Sequence, residues 1–124
     1  MNWIEKVIGE FGRQIGINDL ALNTSGRLQL DADDGFSIGM IQIDSLPLPE
    51  LIIYIAKPIQ HLPEATIKSV LQLANLRKFH DWPLQVATHD GKIFLSNRIP
   101  DRSISLSVIN ESINFLRQFA DRHL

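Results

Sequence analysis

Pro63-Glu64-Ala65-Thr66-Ile67-Lys68-Ser69-Val70-Leu71-Gln72-Leu73-Ala74-Asn75-Leu76 decides how this chain is organised. Pro63 suits the first turn of a helix, where its missing N–H costs nothing, and Glu64 beside it favours the positive end of the helix dipole. At about 100° per residue, Ile67, Val70, Leu71 and Ala74 share one face. Leu73 and Leu76 lie on the opposite side, across Lys68, Gln72 and Asn75. A surface helix in a small domain normally carries one apolar stripe. Two stripes ask for two neighbours. Val70, Leu73 and Leu76 are therefore expected at a dimer interface, the alternative being that strands or loops of the same chain cover the second face.

Strand patterns flank this helix on both sides. Upstream, Asn23-Thr24-Ser25-Gly26 is turn chemistry, after which Arg27-Leu28-Gln29-Leu30-Asp31 alternates with the period of a half-buried strand. Asp33-Asp34-Gly35 predicts a hairpin turn, and Phe36, Ile38 and Met40 alternate with Ser37, Gly39 and Ile41 on the return. Leu51 to Ala56 is a continuous apolar run, as in a central strand covered on both faces. Downstream, Pro83 to Thr88 and Lys92 to Ile99 form a second hairpin across Asp90-Gly91.

Helices close both ends. The first is predicted from about Asn2, an N-cap, to Gly16, with Ile4, Ile8, Phe11 and Ile15 as its core row and Trp3 and Val7 at the edge. Gly9 and Gly12 fall inside it, where a glycine costs about 1 kcal/mol relative to alanine, so something is expected to pack closely there. The last helix follows Pro100-Asp101. Ile109, Ile113, Leu116 and Ala120 form one face, and Val108, Phe115 and Phe119 point elsewhere, toward a cover other than the sheet. The order α-β-β-β-α-β-β-α predicts an α+β fold, a twisted antiparallel sheet with helices packed on it, in a single domain over residues 1–124.

Composition narrows the function. The 124 residues are 44% hydrophobic and 21% charged, with a formal charge of −2. Twelve basic residues are scattered singly apart from Arg77-Lys78, which excludes the clustered basic face of a nucleic-acid binder. The chain has no cysteine, which excludes disulfides and thiolate metal sites. No apolar run approaches the roughly 20 residues of a membrane span, and the N-terminus lacks a signal-peptide pattern, so a cytoplasmic location is expected. His61, His80, His89 and His123 are unpaired at ligand spacing; Asp31, Asp33 and Asp34 lack the later ligands of a calcium loop; no phosphate-binding glycine loop or nucleophile elbow is present. The expectation is a binding module with no cofactor, no metal and no catalytic residue.

Several stretches together resemble the class I chaperones of bacterial type III secretion systems, the family that includes the Tir chaperone. They are Phe11-Gly12-x-x-Ile15-Gly16-Ile17, Leu20-x-Leu22-Asn23-x-x-Gly26-x-Leu28-x-Leu30, Val70-Leu71-x-Leu73-Ala74-Asn75, Gly91-x-Ile93-x-Leu95 and Ile113-x-x-Leu116-x-x-Phe119-Ala120. The opening Met1-x-Trp3-Ile4-Glu5 is further similar to the SycN-type chaperones of secretion gatekeepers. The resemblance implies a small dimer, a homodimer or a heterodimer with a related chaperone. It would bind the N-terminal segment of a secreted effector or gatekeeper protein and keep it extended. The charge of −2 is mild for that family, which is often strongly acidic. The client groove is expected beside the first helix and first hairpin, at Trp3, Val7, Leu28, Leu30, Phe36, Ile38 and Met40, the alternative for each being a place in the core. The alternative is a regulatory or adaptor domain that binds a folded partner. A third reading, a small enzyme or ligand-binding domain, would need a pocket with convergent polar groups.

Overall fold

The computed structural model describes residues 3–32, 34–44, 47–76 (backbone only at 74–76) and 82–124. Asn2, Asp33, His80, the Arg77-Lys78 pair and the side chains of Ala74 and Leu76 lie outside the described residues. The elements are α1 (Trp3–Gln14), β1 (Arg27–Asp31), β2 (Ser37–Ile43), β3 (Glu50–Pro58), α2 (Glu64–Leu76), β4 (Leu84–His89), β5 (Lys92–Pro100), a short 3-10 turn (Asp101–Ser103) and α3 (Leu106–His123). This is the α+β order read from the sequence.

All five strands form one antiparallel sheet in the order β1-β2-β3-β5-β4, so β3 is central. Because β5 runs antiparallel to both its neighbours, β3 and β4 are parallel. The chain must therefore cross β5 to join them, and α2 is that crossover. The β4–β5 hairpin closes on Asp90 (φ 51) and Gly91 (φ 73), both left-handed, which is the mirror-image turn that Asp-Gly favours. At the first turn, the Asn23 carboxamide oxygen accepts from the amides of Ser25 (2.9 Å) and Arg27 (3.0 Å) and so launches β1.

Alternation sends Leu28, Leu30, Ile38, Met40, Leu51, Ile53, Ile55, Ile93, Leu95 and Ile99 to one face, where they build the core with α1 and α3. Each such side chain, when fully buried, contributes about 1.5–3 kcal/mol. The other face is half-covered: Ile41, Ile52, Tyr54, Phe94 and Ser96 are all partly exposed. The sheet is thus covered on one side, where the run Leu51–Ala56 predicted cover on both. A Cβ at Gly39 would stand 2.0 Å from the Tyr54 ring, so Tyr54 lies across bare backbone on that outer face. Its hydroxyl donates to Gln29 Oε1 at 3.0 Å. Burial pushes the Tyr54 phenol up, Arg27 pulls it down and Asp31 raises it further, so it stays a donor at neutral pH.

Polar contacts start helix α3 and tie it to the sheet. Ser105 caps its start, with the hydroxyl accepting from the Val108 amide at 3.1 Å. Near its other end the Arg117 guanidinium pairs with Asp34 and stacks 5.1 Å from the Phe36 ring centroid, with Lys57 5.5 Å away. Desolvation acts to raise the Asp34 pKa, but the Phe36 amide and Arg117 outweigh it and hold the carboxyl below its ordinary value. Deep in the core, the fully buried Ser112 hydroxyl donates to Asn97 Oδ1 at 2.7 Å, and Asn97 Nδ2 donates to the Pro83 carbonyl at 3.1 Å. This bridge joins α3, β5 and the start of β4. Ser112→Ala leaves the Asn97 oxygen buried without a donor and should cost about 1–3 kcal/mol in chemical denaturation.

Candidate functional site

Four of the seven residues expected to line a client groove are core residues. Val7, Leu28, Phe36 and Met40 are buried, Met40 completely, because the face of the hairpin that carries Leu28 and Met40 is the face that the helices cover. Of the other three, Trp3 is 50% exposed, and Leu30 and Ile38 are half-buried against the core. At the expected dimer interface, Val70 is 1% exposed and packs within its own chain's core, and Leu73 lies partly buried against that core. Leu76 has no described side chain. Among the described side chains of α2, the partly exposed apolar ones outside the core cluster are Ile67 and Leu71, one turn apart on its flank. Ile15, placed in the core row of α1 by periodicity, is 46% exposed, because the helix ends at Gln14 and Gly16 turns the chain away in a left-handed conformation (φ 87).

The open space beside α1 lies outboard of the predicted residues. One groove, of about 440 Å³, runs between the Glu5–Gly9–Arg13 side of α1 and the segment from Asp19 to Leu22. A second, of about 760 Å³, begins where the first ends, at Glu5 and Leu22, and continues past the Asn23–Arg27 turn to Ile41, Ile43 and Ile52 on the half-covered sheet face. Together they form a channel along the flank of the molecule. Its walls alternate in character: Glu5, Lys6, Arg13 and Asp19 at one end, isoleucines at the other.

The two mid-helix glycines of α1 behave differently. A Cβ on Gly12 would stand 2.5 Å from Leu20 Cβ and 2.8 Å from the Ile17 carbonyl oxygen, so the returning chain packs directly on bare helix. Gly9 faces the channel, and among the described residues a Cβ there would meet only the tip of Arg13, at 3.7 Å. Sequence reading singled out both glycines but could not tell them apart, since spacing alone does not reveal which one the chain itself covers. It missed Leu20 to Leu22 as a channel wall, because a segment outside helix and strand carries no periodic signal.

A smaller opening of about 390 Å³ is walled by Trp82, Pro83 and Pro100 over the Glu50–Arg98 ion pair (2.7 Å), which lies on the half-covered face of the sheet. Among the described residues no group of three or more His, Cys, Asp or Glu side chains could hold a metal, and no helix is long and apolar enough to cross a membrane. His61 and His89 are exposed, with His89 3.2 Å from Asp90, and His123 stacks on Phe119 at 4.5 Å. The geometry offers grooves and a bare helix wall rather than convergent titratable groups.

No protein-family model matches the sequence, and no curated protein matches it. Solved structures do match the fold. A chain of the ExsC–ExsE complex superposes with a TM-score of 0.80 at 18% identity, over 97% of this chain and 92% of that one. The structure of the Yersinia pestis type III secretion chaperone SycH with a stable fragment of YscM2 gives 0.72 at 16% identity, over 97% and 98%. This chain has the class I type III secretion chaperone fold. The HopA1–SchA chaperone–effector complex agrees with it, at a TM-score of 0.71 and 14% identity over 97% and 91%. Identities this low fix the fold alone, so the chaperone-fold chain keeps its backbone plan while its surfaces are its own. Gly12→Ala should lower stability by about 1–3 kcal/mol in denaturant titration, since Leu20 and the Ile17 carbonyl must shift. Trp3→Ala should change it by less than about 0.5 kcal/mol, as befits an exposed side chain.

Proposed function

We propose that this chain is a cytoplasmic type III secretion chaperone that binds the N-terminal segment of a secreted effector or gatekeeper protein and holds it extended for export. The observation that carries the reading is the agreement of fold over 97% of the chain with complexes described as chaperone–effector and as secretion chaperone with bound fragment. Its work is binding, not catalysis. An extended segment can dock by backbone hydrogen bonding along an edge and by placing side chains in adjacent grooves, and the channel beside α1 provides for both. Trp3, half exposed at the start of α1, offers further apolar surface.

The functional unit is a dimer, with a second copy or with a related chaperone, formed on the α2 flank that carries Ile67 and Leu71. A disordered client loses ordering entropy on binding, so a large wrapped area is needed, and two protomers provide it. Affinity purification of the tagged chain from its host, followed by limited proteolysis of what it retains, tests the client reading. Recovery of a secreted protein held through its N-terminal segment is expected; recovery of a folded cytosolic protein alone would favour an adaptor instead. Leu71→Asp tests the dimer. It should halve the mass measured by light scattering while the protomer keeps its circular dichroism spectrum, and an unchanged mass would remove α2 from the interface.

A further inference from the structure

Gly9 is the one glycine of α1 whose bareness the described chain does not use. Glu5, Gly9 and Arg13 stand one helical turn apart along the channel wall, so the ridge is charged at both ends and stripped to backbone between them. Glycine there loosens the helix, and alanine would fit with ordinary van der Waals contact to Arg13 alone. A residue that weakens the free protein without serving its packing points to a state in which something else occupies the space. The opposite wall says what kind of thing. Leu20, Ala21 and Leu22 belong to no helix or strand, and their N–H and C=O groups make no hydrogen bond to other described residues. An extended polypeptide laid between the two walls would pair with those groups and pass its own backbone over Gly9.

We infer that Gly9 is the close-approach point for an extended client segment, which threads the groove between α1 and Leu20–Leu22 with its backbone against the helix. The inference rests on the chaperone reading above, and it names where on the chain the client's main chain is gripped. Recognition there draws on backbone, since the open main chain of Leu20–Leu22 stands across the groove from Gly9, with the leucine side chains flanking it.

The test exploits opposite signs. Peptides tiling the N-terminal segment of the secreted protein recovered by the co-purification are the probe, titrated calorimetrically against wild type and Gly9→Ala. Gly9→Ala should melt about 3–5 °C higher. It should bind the peptide that wild type retains at least roughly tenfold more weakly, because the added methyl group holds the client backbone off the helix. Equal or tighter binding by Gly9→Ala overturns the inference and leaves the chaperone reading intact. A lower melting temperature overturns it too, by showing that the chain itself needs the bare position. If wild type retains no secreted protein, the chaperone reading fails and the inference goes with it.

Discussion

The fully buried strand side chains all lie on one face of the sheet, and α3 is the element that covers them. Its Ile109, Leu116 and Ala120 meet the alternate residues of β3 and β5, and α1 then closes over α3 and the first hairpin. With α1 and α3 spent on that face, the chain has only α2 left. That helix must also carry the chain past β5 from β3 to the parallel β4. It packs Val70 inward and cannot blanket the outer face as well. A half-wet outer face and a half-covered α2 flank follow from this allocation of three helices to one sheet.

A crossover of this kind has to be located accurately, because β4 joins the sheet only through β5. Apolar packing is tolerant of small shifts; a hydrogen-bonded bridge is not. The Ser112–Asn97–Pro83 bridge ties the middle of α3 to the strand beside β4 and to the residue that leads into β4. It is fully satisfied in a dry core, where a missing partner would be costly. The bridge thus anchors the entry to β4 against α3 and β5.

Much of this was legible from sequence because it is local. Arg27–Asp31 was read to the residue, since period two and the Asn23–Gly26 turn bracket it; the Asp90-Gly91 turn was legible from its backbone preference. Of the off-sheet residues of α3, Phe119 is buried and Val108 and Phe115 pack partly buried against the core. What sequence could not settle was which apolar surface remains open. Val7, Phe36 and Met40 look identical as core and as groove residues, and a stripe reports only that something covers it. Val70 likewise could face a partner or its own strands, and only the packed structure separates the two.

The same ambiguity explains why the channel eluded periodicity and why glycines located it. An apolar side chain is compatible with burial by self or by partner, so its presence does not discriminate. A glycine inside a helix is a cost whatever surrounds it, and the cost calls for a neighbour that needs the room. Gly12 has that neighbour in Leu20, whose Cβ would stand 2.5 Å from any added carbon. Gly9 sits one turn earlier, on the channel side of the same helix, with the Leu20–Leu22 main chain across from it and without a hydrogen bond to other described residues. One stretch of returning chain thus serves both positions: it packs on the helix at Gly12 and stands away from it at Gly9.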